Sequence, residues 1–118
     1  MTTDPFTEEQ FEVAVSDLKF FVNKFKDKKV IVMIPVSYSI CTICEDTHNI
    51  NMKCTHMGLR VKFDDNTEGE HRFTIKSIAA IMAYYKYVHN FNINHCFLIY
   101  FINEDIKNRL LNVFAEDV

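Results

Sequence analysis

Between Gly58 and Ile75 the chain alternates apolar and polar residues twice, in Gly58-Leu-Arg-Val-Lys-Phe63 and in Glu70-His-Arg-Phe-Thr-Ile75, around the turn-like Asp64-Asp-Asn-Thr-Glu-Gly69. Alternation of period two on both sides of a turn is the pattern of an antiparallel hairpin with one buried face. Leu59, Val61 and Phe63 on one strand and Phe73 and Ile75 on the other are expected to share that face, with Arg60, Lys62, Arg72 and Thr74 outward. A lone two-stranded hairpin is marginal in water, so the other segments must supply more sheet and a covering layer.

The flanking segments read as helices and further strands. Phe6-Thr7-Glu8-Glu9-Gln10-Phe11 is a helix start: Thr7 caps, Gln10 bonds back three residues later, Phe6 packs on Phe11, and two acids suit the positive end of the dipole. Phe11, Val15, Leu18, Val22 and Phe25 then recur at helical spacing to about Lys26. Val30-Ile-Val-Met-Ile-Pro-Val-Ser-Tyr-Ser-Ile40 reads as a long strand, and Pro35, which has no N–H to donate, places it at an edge or puts a bulge in it. Ser77 is expected to cap a second helix with Ile78, Ile81, Met82, Tyr85 and Val88 on one side, ending near Asn90-Phe-Asn-Ile-Asn94. Cys96-Phe-Leu-Ile-Tyr-Phe-Ile102 is apolar on both faces, as in a central strand, and Asn103 opens a last helix with Ile106, Leu110, Val113 and Phe114 inward. The expectation is a single α+β domain over residues 1–118, in the order α-β-β-β-α-β-α. Its four-stranded sheet is mostly antiparallel, with helices packed mainly on one face.

Composition narrows the function classes. With 118 residues, 48% of them hydrophobic, and two glycines and two prolines, the chain suits one compact domain and not a disordered or low-complexity segment. A net charge of −3 gives no electrostatic footprint for a polyanion. The opening Met-Thr-Thr-Asp-Pro-Phe-Thr-Glu-Glu lacks the basic-then-apolar pattern of a signal peptide, and no apolar run approaches the ~20 residues of a membrane span. An intracellular protein, cytoplasmic or nuclear, is expected. Plentiful Asn, Ile, Lys and Phe with scarce Gly, Pro and Ala is the bias of an AT-rich genome, such as many large DNA viruses or protozoa have.

Three of the four cysteines and two of the five histidines fall in Cys41-Thr-Ile-Cys44-Glu-Asp-Thr-His48-Asn-Ile-Asn-Met-Lys-Cys54-Thr-His56. This stretch forms the expected connection between the first two strands. Cys41, Cys44, Cys54 and His56, with His48 as the competing fourth ligand, have the residue types and local spacing of a tetrahedral zinc site. A bound ion would order a connection that is otherwise long for a compact domain. The spacing Cys-x2-Cys-x9-Cys-x-His resembles the opening half of a RING finger, with Cys41, Cys44, Cys54 and His56 at its first four ligand positions. The second Cys-x2-Cys pair of that family does not follow, and ubiquitin-ligase activity does not carry over. The alternative spacing through His48 lies near a retroviral-type zinc knuckle. Free thiols in a long connection, or a disulfide, are the other readings of the same residues. His89, His95 and Cys96 are more simply a helix end and a core thiol than a second ligand set.

No Gly-rich phosphate loop, Gly-x-Ser-x-Gly or His-Glu-x-x-His occurs, which points away from an enzyme and leaves a nucleophilic Cys41, Cys44 or Cys54 as a minor alternative. Val13, Phe20, Tyr84 and Tyr87 lie off the main helical stripes and are candidate interface anchors for a protein partner, including a second copy of the chain as a homodimer. The α-β-β-β-α order over residues 7–90 resembles a double-stranded RNA-binding domain in topology alone, and the outward basic residues Arg60, Lys62 and Arg72 are those that would reach phosphates. The basic cluster of that family at the start of its second helix is reduced here to Lys76. A regulatory or interaction module is therefore the leading expectation, and nucleic-acid binding the alternative.

Overall fold

The computed structural model describes residues 6–36, 56–91 and 102–114. They form α1 (Glu8–Lys24), β1 (Val30–Val36), β2 (His56–Phe63), β3 (Glu68–Thr74), α2 (Ile75–Val88) and α3 (Glu104–Leu111). The protein is α+β, with three helices and a three-stranded antiparallel sheet among the described residues. The fourth strand expected at Cys96–Ile102 lies, but for Ile102, outside them. The chain divides into two compact units, one of Met1–Lys26 with Lys76–Val118 and the other of Asp27–Ile75.

The first unit is helical. α1 begins with the expected capping box: the Gln10 N–H donates to Thr7 Oγ1 and the Thr7 N–H donates to Gln10 Oε1, each at 3.0 Å. Its buried residues are Phe11, Ala14, Leu18 and Phe21, whereas the expected Val15, Val22 and Phe25 are half-buried. The two stripes share Phe11 and Leu18 and differ by one residue, about 100° of rotation. The helix turns inward the side that carries the larger Phe21 and leaves the valines at the margin. It ends at Lys24, two residues short of expectation, where the Phe25 N–H reaches the Phe21 carbonyl at 3.1 Å.

α2 is buried nearly all round between Ser77 and Ala83, and Ala79, Ala80 and Ala83 have almost no exposed surface. A helix apolar on every side is a core helix. Ser77 is not the expected cap: the helix starts at Ile75, and Ser77 falls in its first turn, fully buried. There its Oγ donates to Asp17 Oδ2 of α1 at 2.6 Å, which gives a buried hydroxyl the partner it requires. Ser77→Ala is expected to cost about 1 kcal/mol, since Asp17 is only half-buried and can turn to water. Urea denaturation checks this, and a loss above about 3 kcal/mol would mean that Asp17 depends on Ser77 alone. Val88, expected inward, is exposed in the last turn.

Asn103 caps α3 as expected, its Oδ1 accepting from the Ile106 N–H at 2.8 Å, and Ile106 and Leu110 are buried. Val113 and Phe114 lie beyond the helix end and are half-buried. Arg109 ties α3 to α1: its two terminal nitrogens each donate to a Glu8 carboxylate oxygen at 2.9 Å, and its guanidinium lies 3.9 Å from the Phe11 ring centre. The hydrogen bonds from Arg109, then its charge, hold the Glu8 carboxyl below the usual carboxylate range.

The second unit is the sheet, in the order β1-β2-β3. Lys62 pairs with Glu68, Arg60 with Glu70 and Leu59 with His71 across the hairpin. The turn is tighter than expected, Asp64 to Thr67, so that Glu68 and Gly69 join β3. Asn66 supplies its positive φ of 69°, which asparagine tolerates. Asp65 Oδ1 accepts from the Thr67 N–H at 2.9 Å, while Lys28 Nζ donates to Thr67 Oγ1 at 2.7 Å and sits 3.3 Å from Asp65 Oδ2. Leu59, Val61, Phe63 and Phe73 are buried as expected, joined by Met33 of β1. Ile75, expected on the same face, instead opens α2. β1 lies at an edge of the described sheet, where Pro35 costs no central ladder bond, and the register shifts between Val30 and Val32.

Candidate protein-interaction surfaces

Register determines what the outward face of the sheet carries. Val32 pairs with Lys62, which pairs with Glu68; Ile34 pairs with Arg60, which pairs with Glu70. Each rung thus runs apolar, basic, acidic from β1 to β3. Arg60 Nε donates to Glu70 Oε1 at 3.1 Å, so the basic column proposed for phosphate contacts is opposed by acids within its own sheet. Arg72, the third of those residues, is half-buried and paired in register with Gly58.

The apolar column is the more conspicuous surface. Ile31, Val32 and Ile34 are 43%, 37% and 48% exposed, three large apolar side chains in one uncharged seven-residue strand. The strand expected over Val30–Ile40 is seen as Val30–Val36, with residues 37–40 outside the described ones. Of the two placements that Pro35 allows, an edge or a bulge, it lies at an edge of the described sheet, where apolar side chains are left exposed.

Of the four candidate anchors, Val13 and Phe20 stand on the outer side of α1, 44% and 46% exposed. At a separation of seven residues they lie on one face two turns apart. Lys24 Nζ sits 5.7 Å from the Phe20 ring centre. Tyr84 and Tyr87 are half-buried and engaged within the helical unit. Tyr84 packs against Tyr85, His89 and Phe114, with ring centres 5.6, 5.4 and 5.2 Å away. Tyr87 has Lys107 Nζ at 4.4 Å and Lys86 Nζ at 5.4 Å from its ring centre. His89 stacks on Tyr85 at 5.0 Å, and its N–H reaches the Tyr85 carbonyl at 3.1 Å, closing α2. Burial raises Tyr84 above the usual tyrosine pKa; burial, reinforced by Tyr84, pushes Tyr85 up to about 12.

Cys41, Cys44, His48, Cys54, His95 and Cys96 lie outside the described residues. His56 opens β2, paired with Thr74. His71 packs on Phe73 with ring centres 4.6 Å apart. Among the described residues no three His, Cys, Asp or Glu are grouped to hold a metal ion, and no helix is long and apolar enough to cross a membrane. Comparison with protein families, with curated proteins and with solved structures finds no match for this chain.

Proposed function

We propose that the chain is a small non-enzymatic interaction or regulatory module that works through protein–protein contacts, its own second copy included, with one zinc ion held by the Cys41–His56 connection. The exposed apolar column of β1 carries this reading. Contiguous apolar surface rimmed by polar residues marks contact sites, and here Ile31, Val32 and Ile34 are bordered by a charge-balanced ladder. That same balance disfavours a polyanion, because Arg60 would have to leave Glu70, and Glu68, the register partner of Lys62, would be brought to the phosphates with it.

Quantitative capture of partners by the wild-type protein, set against Val13→Glu/Phe20→Glu and Ile34→Glu, tests the reading. A partner that one variant loses while its fold is intact supports it; wild type that binds no protein, itself included, ends it. A labelled RNA duplex is expected to show no shift at about 50 mM salt, and a shift lost on Arg60→Ala/Lys62→Ala would restore the nucleic-acid alternative.

For the metal, support comes from the frame around the connection. Val36 and Gly58 are ladder partners, so the chain leaves and re-enters the sheet at one place, as a local ligand set requires. Native mass spectrometry of chelator-free protein is expected to show one zinc, lost with thermal stability on adding chelator. A metal-free mass together with freely titratable thiols would leave Cys41, Cys44 and Cys54 as unligated side chains.

A further inference from the structure

We infer that β1 is the self-association element: two copies pair their β1 strands antiparallel about Met33, joining two three-stranded sheets into one. The inference rests on the protein-contact reading above and names the partner as a second copy of this chain.

Four observations carry it. Among the described residues β1 is bonded on one side only, to β2. The usual devices that blunt such an edge are charged side chains, proline and bulges. Val30–Val36 has no charge, and its Pro35 and the irregularity between Val30 and Val32 leave the middle of the strand regular.

An isologous contact must also be complementary to itself. Pairing centred on Met33 sets Val32 of each copy opposite Ile34 of the other, so the exposed apolar side chains meet and the column doubles. Directly opposed β-branched pairs stabilise antiparallel ladders.

Charge is compatible as well. No like charges meet across the junction, because the nearest basic column, Arg60 and Lys62, lies one strand away in each copy. The two columns would then be separated by three strand spacings, about 14 Å, beyond the ~8 Å screening length at physiological ionic strength. Each is already opposed by Glu70 and Glu68.

One short strand per copy is a small contact, below the ~1,200 Å² of a standard interface, so the dimer is expected to be weak, with a dissociation constant on the order of tens of micromolar.

Sedimentation velocity across about 2–300 μM, with amide exchange on the same samples, tests this. The expected result is a monomer–dimer equilibrium in which β1 amides gain protection as dimer forms. Ile34→Glu and Val32→Glu should each weaken it about tenfold or more with an unchanged circular dichroism spectrum. These substitutions suit the fold, since within one copy they face Arg60 and Lys62. Across the dimer each sets a charge against a valine or isoleucine.

A monomer at all concentrations overturns the inference. So does a dimer unmoved by both variants, or β1 amides already protected in dilute monomer, which would mean that the chain's own residues cover the edge. Should the variants misfold, concentration-dependent protection of β1 in the wild type decides alone. A monomer that still loses a foreign partner on Ile34→Glu removes self-pairing and leaves the interaction reading standing.

Discussion

Truncating Phe21 to alanine is expected to lower the unfolding free energy by about 3–5 kcal/mol, the largest effect of any single change considered for this chain. Phe21 has no exposed surface and lies where α1 meets α2. Its ring contacts Phe25 edge-on at 4.9 Å and Tyr85 edge-on at 5.8 Å. Alanine removes the transfer free energy of the ring, the two aromatic contacts, and the atoms that fill the space between the helices. The cost depends on how far the surrounding helices can close on the gap, and Tyr85, the α2 ring in contact with Phe21, is itself buried. A domain of this size has in total about 5–15 kcal/mol to lose, so the variant should show a sharply lowered denaturation midpoint or fail to fold at 37 °C. Phe21→Leu, which keeps most of the volume, should lose about 1–2 kcal/mol and serves as the control. A loss below about 1 kcal/mol for Phe21→Ala would contradict its placement in the helical core.

What could be read directly from residues was what depends on neighbours close in the chain. The Thr7–Gln10 box, the Asn103 cap and the hairpin face of Leu59, Val61, Phe63 and Phe73 follow from spacings of two to four residues, and all occur. The failures have a different origin. Whether Val15 or Ala14 faces inward on α1 depends on which arc of an apolar helix finds room against its neighbours, and each arc ends in a phenylalanine, Phe25 or Phe21, so spacing alone does not choose between them. Ser77 looks like a cap because serine often is one, but β3 runs into α2 without a linker, and the buried hydroxyl donates to Asp17 of α1 instead. The outward charges Arg60 and Lys62 are legible singly; that Glu70 and Glu68 oppose them requires the register. The exposure of Ile31, Val32 and Ile34 is hidden for the same reason, since burial of a strand is a property of its sheet. The Cys/His stretch is legible by residue type alone, which is why its metal stands as a proposal to be weighed by mass.

The aromatic cluster that Phe21 shares also makes the fold sensitive to alkali. Tyr85 is buried against Phe21, Tyr84 and His89, and this environment disfavours its phenolate, raising its pKa to about 12. In the unfolded chain the same hydroxyl ionises near its ordinary value of about 10. A group whose folded pKa is raised leaves stability untouched below the unfolded pKa. It removes stability as pH climbs toward the folded one, because only the unfolded state gains from losing the proton. The loss from Tyr85 should therefore begin near pH 10 and reach about 2–3 kcal/mol by pH 12, since stability falls by ~1.4 kcal/mol for each pH unit between the unfolded and folded pKa. Lysine deprotonation adds its own slope over this range, so the comparison is with Tyr85→Phe, which retains the ring and lacks the ionising oxygen. Denaturation at pH 9, 10, 11 and 12 should give curves that run together to about pH 10 and then diverge, the variant falling less steeply. Parallel curves across the whole range would show that Tyr85 ionises as easily in the folded protein as in the unfolded chain. The two predictions are coupled through one ring contact: with Phe21→Ala in the background water gains access to Tyr85, its folded pKa drops toward 10, and the divergence above pH 10 should shrink. If Phe21→Ala destabilises as expected while that divergence keeps its full size, burial of Tyr85 owes little to Phe21, and its remaining neighbours, Tyr84 and His89, hold the phenol neutral.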